Sequence, residues 1–161
     1  YITTPIIMNL LQQGVHFASI AVTMQREVAN RLISKPGNKI YGAISVVIQY
    51  LNRIQIKAEI SPSAFFPLPK DTSSIVELRP RTQIRVPVFN LRKFIQFVRG
   101  CFLHRRKNLQ NNLKSVFGKS QKPLIQHVLK TCRIQPTLRP ENLSVQNYVT
   151  LANAFHRQKL L

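Results

Sequence analysis

The segment from Ser61 to Lys70 restricts the folds open to this chain more than any other stretch. It reads Ser-Pro-Ser-Ala-Phe-Phe-Pro-Leu-Pro-Lys, with prolines at positions 62, 67 and 69. Proline fixes φ, lacks a backbone N–H donor and pushes the preceding residue towards extended geometry. Phe65, Phe66 and Leu68 therefore belong to a stiff loop and not to a regular helix or a paired strand.

This loop allows two interpretations of its aromatic residues. A rigidly held phenylalanine close to Lys70 can stack on a nucleobase while the lysine binds a phosphate. Alternatively, Phe65 and Phe66 fill the protein core, because apolar side chains are usually buried. The loop by itself does not decide between them, so the composition of the rest of the chain becomes relevant.

The charge of the chain favours a nucleic-acid partner. Lys and Arg number 24 against 5 Asp and Glu, which gives a formal net charge of +19 over 161 residues. So strong an excess predicts a polyanionic partner, with nucleic acid first and a membrane surface as the alternative. No apolar run has the length of a membrane span and no signal peptide opens the chain, so we expect no membrane association.

Residue types that carry chemistry are sparse. Cys101 and Cys132 are far apart without a CxxC motif, so we expect reduced core thiols and a cytoplasmic location. The four histidines are isolated, no His/Cys/Asp/Glu group has metal-ligand spacing, and no carboxylate pair indicates acid–base catalysis. We therefore expect no metal, and the residues alone indicate a basic nucleic-acid-binding protein.

The distribution of charge predicts two parts. No acidic residue lies between Glu77 and Glu141, an interval that holds 15 Lys or Arg, whereas residues 1–77 hold seven basic and four acidic residues. Prolines and basic residues in Arg79–Pro87 are typical of a linker. We predict a mixed α/β domain over residues 1–82 and a basic helical domain over residues 83–161.

Residues 1–82 show the pattern of an α/β sheet. Thr4 and Pro5 predict a helix start, with a buried stripe that includes Ile6 and an end at Gly14. Phe17–Met24 is almost wholly small or apolar, which predicts a strand covered on both faces. Helices are predicted from residue 25 to 33 and from 42 to 51. Alternating residues from 53 to 60 then predict a half-exposed edge strand, and residues 73–78 return as an antiparallel strand.

The remainder is predicted to be helical. Apolar residues recur at helical spacing in four segments, which can share one core. The expected stripes are Leu91–Phe102, Leu109–Phe117 ended by Gly118, Leu124–Leu129 after Pro123, and Tyr148–Phe155 after a Ser144 cap.

Cations are concentrated at the start of the second of these helices. His104, Arg105, Arg106 and Lys107 stand there, and Lys114 follows. Cations near a helix N-terminus oppose the helix dipole, and a bound phosphate would offset that cost. The alternative is an ordinary solvated charged surface.

Several motifs in order resemble the rRNA adenine dimethyltransferase family. The final Arg-x-Glu-x-Leu-Ser pattern is similar to the small-subunit (KsgA-type) branch more than to the erythromycin-resistance branch. The resemblance covers nearly the whole chain and rests on Ile2–Pro5, Gln25–Leu32, Tyr41-Gly42 with Ser45 and Gln49-Tyr50, Phe65–Lys70, Arg105–Leu109 with Asn112-Leu113, and Arg139–Ser144.

The resemblance implies a fold and an activity. The fold would be α/β plus α: the back half of a Rossmann-like methyltransferase sheet followed by a small helical domain. The activity would be S-adenosylmethionine-dependent dimethylation of two adjacent adenines in small-subunit (16S) rRNA, without a metal. The partner would be the immature small ribosomal subunit, and we expect a monomer. The alternatives are a non-catalytic RNA-binding module and a DNA-binding relative on the same scaffold.

The same comparison implies a fragment. The family's glycine-rich loop and acidic residues, which hold S-adenosylmethionine, and its Asn-x-Pro-Tyr motif, which holds the adenine amine, would fall before Tyr1. We therefore expect the cofactor to be bound by a missing N-terminal half and the isolated chain to be inactive. A further departure is Lys70-Asp71-Thr72-Ser73, where the family usually has Lys-Val-Asp-Ser, so a role for Asp71 does not carry over.

Residue roles follow from the resemblance. Phe65 would be the aromatic residue that stacks on the flipped adenine, which favours the first interpretation of the loop. Phe66 is expected to pack against the protein. Contacts with rRNA phosphates are expected from Lys70, Arg105, Arg106, Lys107 and Lys114.

Overall fold

The computed structural model describes residues 2–12, 17–84 and 86–161. The elements within these ranges are α1 (Thr3–Gln12), β1 (Ile20–Gln25), α2 (Arg26–Ile33), α3 (Ala43–Leu51), β2 (Asn52–Ile60), β3 (Ser73–Pro80), α4 (Leu91–Cys101), α5 (Leu109–Phe117), α6 (Lys122–Thr131) and α7 (Val145–Arg157). Within these ranges, no helix has the length and apolar character needed to cross a membrane.

The three strands form one sheet in the order β1-β3-β2, with β3 antiparallel to both neighbours. The predicted antiparallel pairing of the last two strands is confirmed. Because Gln25 and Ile60 both pair with Ser73, the carboxyl ends of β1 and β2 lie beside the start of β3. The proline-aromatic segment that connects β2 to β3 therefore lies at this end of the sheet, which we call the carboxyl edge.

The prediction that β1 is covered on both faces is wrong. Ile20 and Met24 are buried, but Ala21, Thr23 and Gln25 are exposed. The strand is at the margin of the sheet, so one face packs against the protein while the other stays open. A run of small and apolar residues indicates low polarity, but it does not indicate how many faces of the strand are covered by other elements.

The other elements of the sheet part largely follow the predictions. β2 is an edge strand whose exposure alternates as predicted from residue 53 to residue 57. The alternation then fails, because residues 57–59 are all exposed where a β-bulge shifts the register between Ile56 and Ala58. For α1, the predicted start at Pro5 is wrong by two residues, since the helix begins at Thr3 and Thr4, the predicted cap, is internal. Ile6 was predicted to be buried but is 46% exposed. The predicted end at Gly14 lies outside the described residues.

The four predicted helices of the basic part are confirmed as α4 to α7. The Ser144 hydroxyl caps α7 by accepting a hydrogen bond from the Asn147 N–H at 3.1 Å. α5 ends at Gly118, whose φ of +94° is a conformation that favours glycine. Phe97, Phe117 and Phe155 pack against one another with ring centroids 4.8–6.2 Å apart. These rings form the centre of the helical core.

The segment between Pro80 and Leu91 connects the sheet part to the helical part. Tyr50 of α3 fastens it, because its hydroxyl accepts a hydrogen bond from the Val88 N–H at 2.9 Å. The Tyr50 ring also lies 5.0 Å from the ring of Phe94 in α4. Buried apolar residues thus run from one part into the other. The domain division at residues 82 and 83 falls within this connection and stays a prediction.

Candidate nucleic-acid interface

The aromatic loop, residues 61–72, projects from the carboxyl edge of the sheet. It opens with a single 3₁₀ turn, Pro62–Ala64, where the Ser61 hydroxyl accepts a hydrogen bond from the Ser63 N–H at 3.3 Å. Phe65 is 38% exposed and Phe66 is fully exposed. The prediction that Phe66 packs against the protein is therefore wrong, because no described element of this chain covers the loop beyond the end of the sheet.

Polar contacts fix the return of the aromatic loop to β3. The Gln25 amide donates to the Asp71 carboxylate at 3.2 Å. The Arg26 N–H donates to the Thr72 carbonyl at 2.9 Å, which joins the loop to the start of α2. Asp71 thus has a structural partner at the base of the loop, although the family resemblance assigned it none. Lys70 is exposed beside it.

The predicted cationic cluster lies in the turn between α4 and α5, just before the helix. Asn108 is the N-cap of α5, since its side-chain oxygen accepts a hydrogen bond from the Asn111 N–H at 2.9 Å. Residues 104–107, which we call the basic loop, precede this cap and are all exposed. The cations are therefore close to the free N–H groups of α5 without occupying its first turn.

Asn112 holds the backbone of the basic loop. Its side chain is 0% exposed. The side-chain oxygen of Asn112 accepts a hydrogen bond from the His104 N–H at 2.8 Å. The side-chain NH₂ group of Asn112 donates to the backbone carbonyls of His104, Lys107 and Asn108 at 3.1–3.3 Å. Both ends of the loop are thus tied to one buried amide. The sequence resemblance included Asn112 but assigned it no role. The only sequence signal for its role in holding the loop was an asparagine close to a basic turn.

The side chains of the basic loop differ in their contacts. The Arg105 guanidinium donates to the Lys39 carbonyl, in the turn that follows α2. Within the described residues, neither Arg106 nor Lys107 has a side-chain hydrogen bond or an ion pair. Lys114, on α5, is half-buried and donates to the Asn111 side chain at 3.2 Å. Arg105 therefore also serves to dock the loop on the sheet part.

Carboxylates neutralise cations mainly in the sheet part. Glu27 pairs with Arg31, Glu59 with Arg26, and Glu77 with both Lys57 and Arg79. Hydrogen bonds from Lys57 and Arg79 hold the pKa of Glu77 below its ordinary value of 4.5.

The helical part lacks such partners. Among the described cations between Leu78 and Pro140, only Arg79 and Arg139 lie within 4.0 Å of a carboxylate. An external polyanion would supply the missing negative charge.

The described residues do not fit an S-adenosylmethionine site of the kind that the resemblance implies. That site needs a glycine-rich turn with acidic residues, whereas β1 leads directly into Gln25 and Arg26. The described glycines, Gly37, Gly42, Gly100 and Gly118, all lie outside the aromatic loop and outside the turn from β1 to α2. Within the described ranges, no group of three or more His, Cys, Asp or Glu residues could hold a metal ion.

Both cysteines are free thiols. Cys101 is buried and Cys132 is half-buried, and burial raises the pKa of each thiol above its ordinary value. Both therefore stay protonated near neutral pH, which fits a packing role.

Solved structures with the same fold show that the described residues have a Rossmann-like methyltransferase fold. It is similar to the crystal structure of a dimethyladenosine transferase from Plasmodium falciparum, with a TM-score of 0.83 and 21% identity over 98% of this chain and 64% of that one. It is also similar to the 23S rRNA methyltransferase ErmE, with a TM-score of 0.61 and 18% identity over 97% of this chain and 62% of that one.

The sequence identifies the family within this fold. A sequence model of the ribosomal RNA adenine dimethylase family matches residues 1–157, and the chain belongs to that family. It is 44% identical to ribosomal RNA small subunit methyltransferase A of Levilactobacillus brevis, over 100% of this chain and 55% of the relative. The Pediococcus pentosaceus protein of the same name is 43% identical over 95% of this chain and 52% of its own length. The chain thus spans about half the length of these curated relatives.

Proposed function

We propose that this chain is the C-terminal portion of an S-adenosylmethionine-dependent enzyme that dimethylates two adjacent adenines in small-subunit rRNA. The observation that carries the proposal is the exposed aromatic loop at the carboxyl edge of a methyltransferase sheet, in a chain of this family. In open α/β sheets, ligands bind outside the carboxyl ends of the strands. The position of the loop at this edge supports its role in receiving a substrate base.

Phe65 is the residue that stacks on the flipped adenine. A base held out of its stack loses both neighbours, and an aromatic ring can replace one of them. The exposed fraction of Phe65, 38%, leaves ring surface available to a base. A ring that filled the core would be buried, so this exposure favours stacking over the alternative interpretation.

The basic residues hold the RNA through its phosphates. Lys70 lies within the aromatic loop, while Arg106, Lys107 and Lys114 present charge from the helical part. Arg105 contributes charge and docks the basic loop through the Lys39 carbonyl. Phosphate contacts set affinity and orientation and carry no base identity. This assigns recognition of the adenine to the sheet part and most of the affinity to the helical part.

The cofactor is bound by the part of the enzyme that this chain lacks. S-adenosylmethionine supplies the methyl group, and the chain's own residues position the adenine and the RNA backbone. The enzyme acts as a monomer on the immature small ribosomal subunit in the cytoplasm. The chain by itself therefore binds RNA but does not transfer methyl groups.

Two measurements test this proposal. The chain alone should show no specific S-adenosylmethionine binding by titration calorimetry, and micromolar binding would contradict the fragment assignment. With the N-terminal half restored, the protein should methylate adenines in immature small subunits. If the restored protein binds subunits but transfers no methyl group, the chain is a non-catalytic RNA-binding module. Preference for duplex DNA over subunits would instead favour a DNA-binding relative.

A further inference from the structure

Four lysines surround one open groove in the helical part. Lys107, Lys114, Lys119 and Lys122 line it together with Asn111 and Ser115, and its volume is about 470 Å³. We call it the lysine groove. Only the first two of these lysines were expected at the RNA interface from the sequence, whereas Lys119 and Lys122 had no assigned role.

The local structure explains why these lysines come together. Gly118 ends α5 with a φ of +94° and turns the chain into a single 3₁₀ turn that begins at Lys119. α6 then starts at Lys122, with Pro123 in its first turn. On the other side, the Asn112 side chain holds the backbone of Lys107 by donating a hydrogen bond to the Lys107 carbonyl. The groove is thus built by a turn and a clamped loop on either side of α5.

The charge in the groove has no partner within the described residues. Lys114 donates to Asn111, a neutral amide, at 3.2 Å. None of the four ammonium groups lies within 4.0 Å of a carboxylate, and Leu78–Pro140 contains no acidic residue. Four like charges around one groove repel one another, and a phosphodiester backbone would relieve that repulsion with one charge per nucleotide.

We propose that the lysine groove binds the phosphodiester backbone of RNA, and that Lys119 and Lys122 contact phosphates alongside Lys107 and Lys114. The inference rests on the proposed function, because it names where that substrate's backbone is held away from the reacting base. The volume of the lysine groove, about 470 Å³, is within the range of sites that hold one small ligand. Asn111 and Ser115 add neutral hydrogen-bonding groups for ribose or phosphate oxygens.

The salt dependence of RNA binding tests this inference. The double variant Lys119→Gln/Lys122→Gln should lower the log–log slope of the association constant against salt by about 1.4 to 1.8, at 0.7 to 0.9 per phosphate contact. Lys119→Arg/Lys122→Arg should keep the slope, since the charge is retained. The matched control is Lys93→Gln/Lys130→Gln, which removes the same charge from exposed lysines on α4 and α6 outside the groove. It should change the slope far less.

An unchanged slope in the groove variant, or an equal loss in the control, would overturn the inference in favour of a general charge effect. Binding of inorganic tripolyphosphate to the same variants is a second measurement. If the groove variant loses tripolyphosphate binding but keeps its RNA slope, the groove binds small anions and the inference is wrong. These measurements need no methyl transfer. Absence of activity in the unaltered protein with its N-terminal half restored would defeat the proposed function and leave the slope result standing.

Discussion

The aromatic loop and the basic loop are both held rigid, but by different means. Prolines 62, 67 and 69 stiffen the aromatic loop covalently, and its rings remain exposed. The basic loop has no proline and is held by the buried side chain of Asn112. Changing an aromatic ring should therefore alter function with little loss of stability, whereas changing Asn112 should alter both.

The two parts of the chain also differ in how their charges are balanced. The sheet part pairs its three glutamates with neighbouring cations, while most cations of the helical part have no carboxylate within reach among the described residues. Charge serves local stability in the sheet part and is left for an external partner in the helical part. The following experiments test this difference.

Reversing the charge of the basic loop should have the largest effect on rRNA binding. Arg105→Glu/Arg106→Glu/Lys107→Glu should weaken rRNA binding roughly a hundredfold or more at 150 mM salt and lower the salt slope by about 2 to 3, since three phosphate contacts are lost. Fluorescence anisotropy across a salt series measures both. As a control, Lys35→Glu/Arg53→Glu/Lys159→Glu makes the same change in net charge at exposed positions outside the acid-free interval. Equal weakening by both triples would show that net charge, and not the basic loop, governs binding.

Removal of the Asn112 amide should be next in size. Asn112→Ala leaves the His104 N–H and the Lys107 carbonyl without their partner. It also removes one of the two hydrogen bonds that the carbonyls of His104 and Asn108 each accept. We expect the free energy of unfolding to fall by about 2–4 kcal/mol. Thermal and urea unfolding measure this. Asn111→Ala, at the exposed neighbour on the same helix, should cost about 0.5 kcal/mol or less. If Asn112→Ala were equally mild, the clamp would not be what orders the loop.

Changing Phe65 in the aromatic loop should reduce activity with little loss of stability. In the protein with its N-terminal half restored, Phe65→Ala should slow methyl transfer about tenfold to a hundredfold, because base stacking contributes about 1–3 kcal/mol. Its melting temperature and rRNA affinity should hardly change, and Phe65→Tyr should keep much of the activity. Leu68→Ala, at an exposed aliphatic residue of the same loop, is the control. A variant with a much lower melting temperature and a normal single-turnover rate would support the core-filling interpretation.

The ion pairs of Glu77 should give the smallest effect, visible as a pH dependence. Its pKa in the folded protein is below the ordinary value of 4.5, so its contribution to stability is complete above that pH and is lost as the pH falls through the lowered pKa. Glu77→Gln should therefore reduce the melting temperature at pH 7 but not at pH 2. Glu27→Gln, which breaks a more exposed helical pair, should cause a smaller loss at pH 7. A deficit for Glu77→Gln that persists unchanged to pH 2 would contradict this assignment.

The sequence alone predicted most of the secondary structure and part of the candidate interface. Helices α4 to α7 followed from apolar spacing, the Ser144 cap and the glycine that ends α5, because these signals lie within a few residues of one another. The aromatic loop followed from its prolines for the same reason. The cationic cluster was visible in the sequence as a segment, since charge is a property of composition, and its contact with RNA stays a prediction.

The tertiary structure decided which side chains are buried, which residues they contact and which distant residues come together. The open face of β1 and the full exposure of Phe66 depend on which distant segments cover them, and a local pattern does not contain that information. The role of Asn112 depends on the path of the preceding turn, and the lysine groove depends on how Gly118 directs α6 past α5. The sequence thus determined which segments are stiff, helical or charged. Only packing between segments far apart in the chain determined which side chains remain available to a partner.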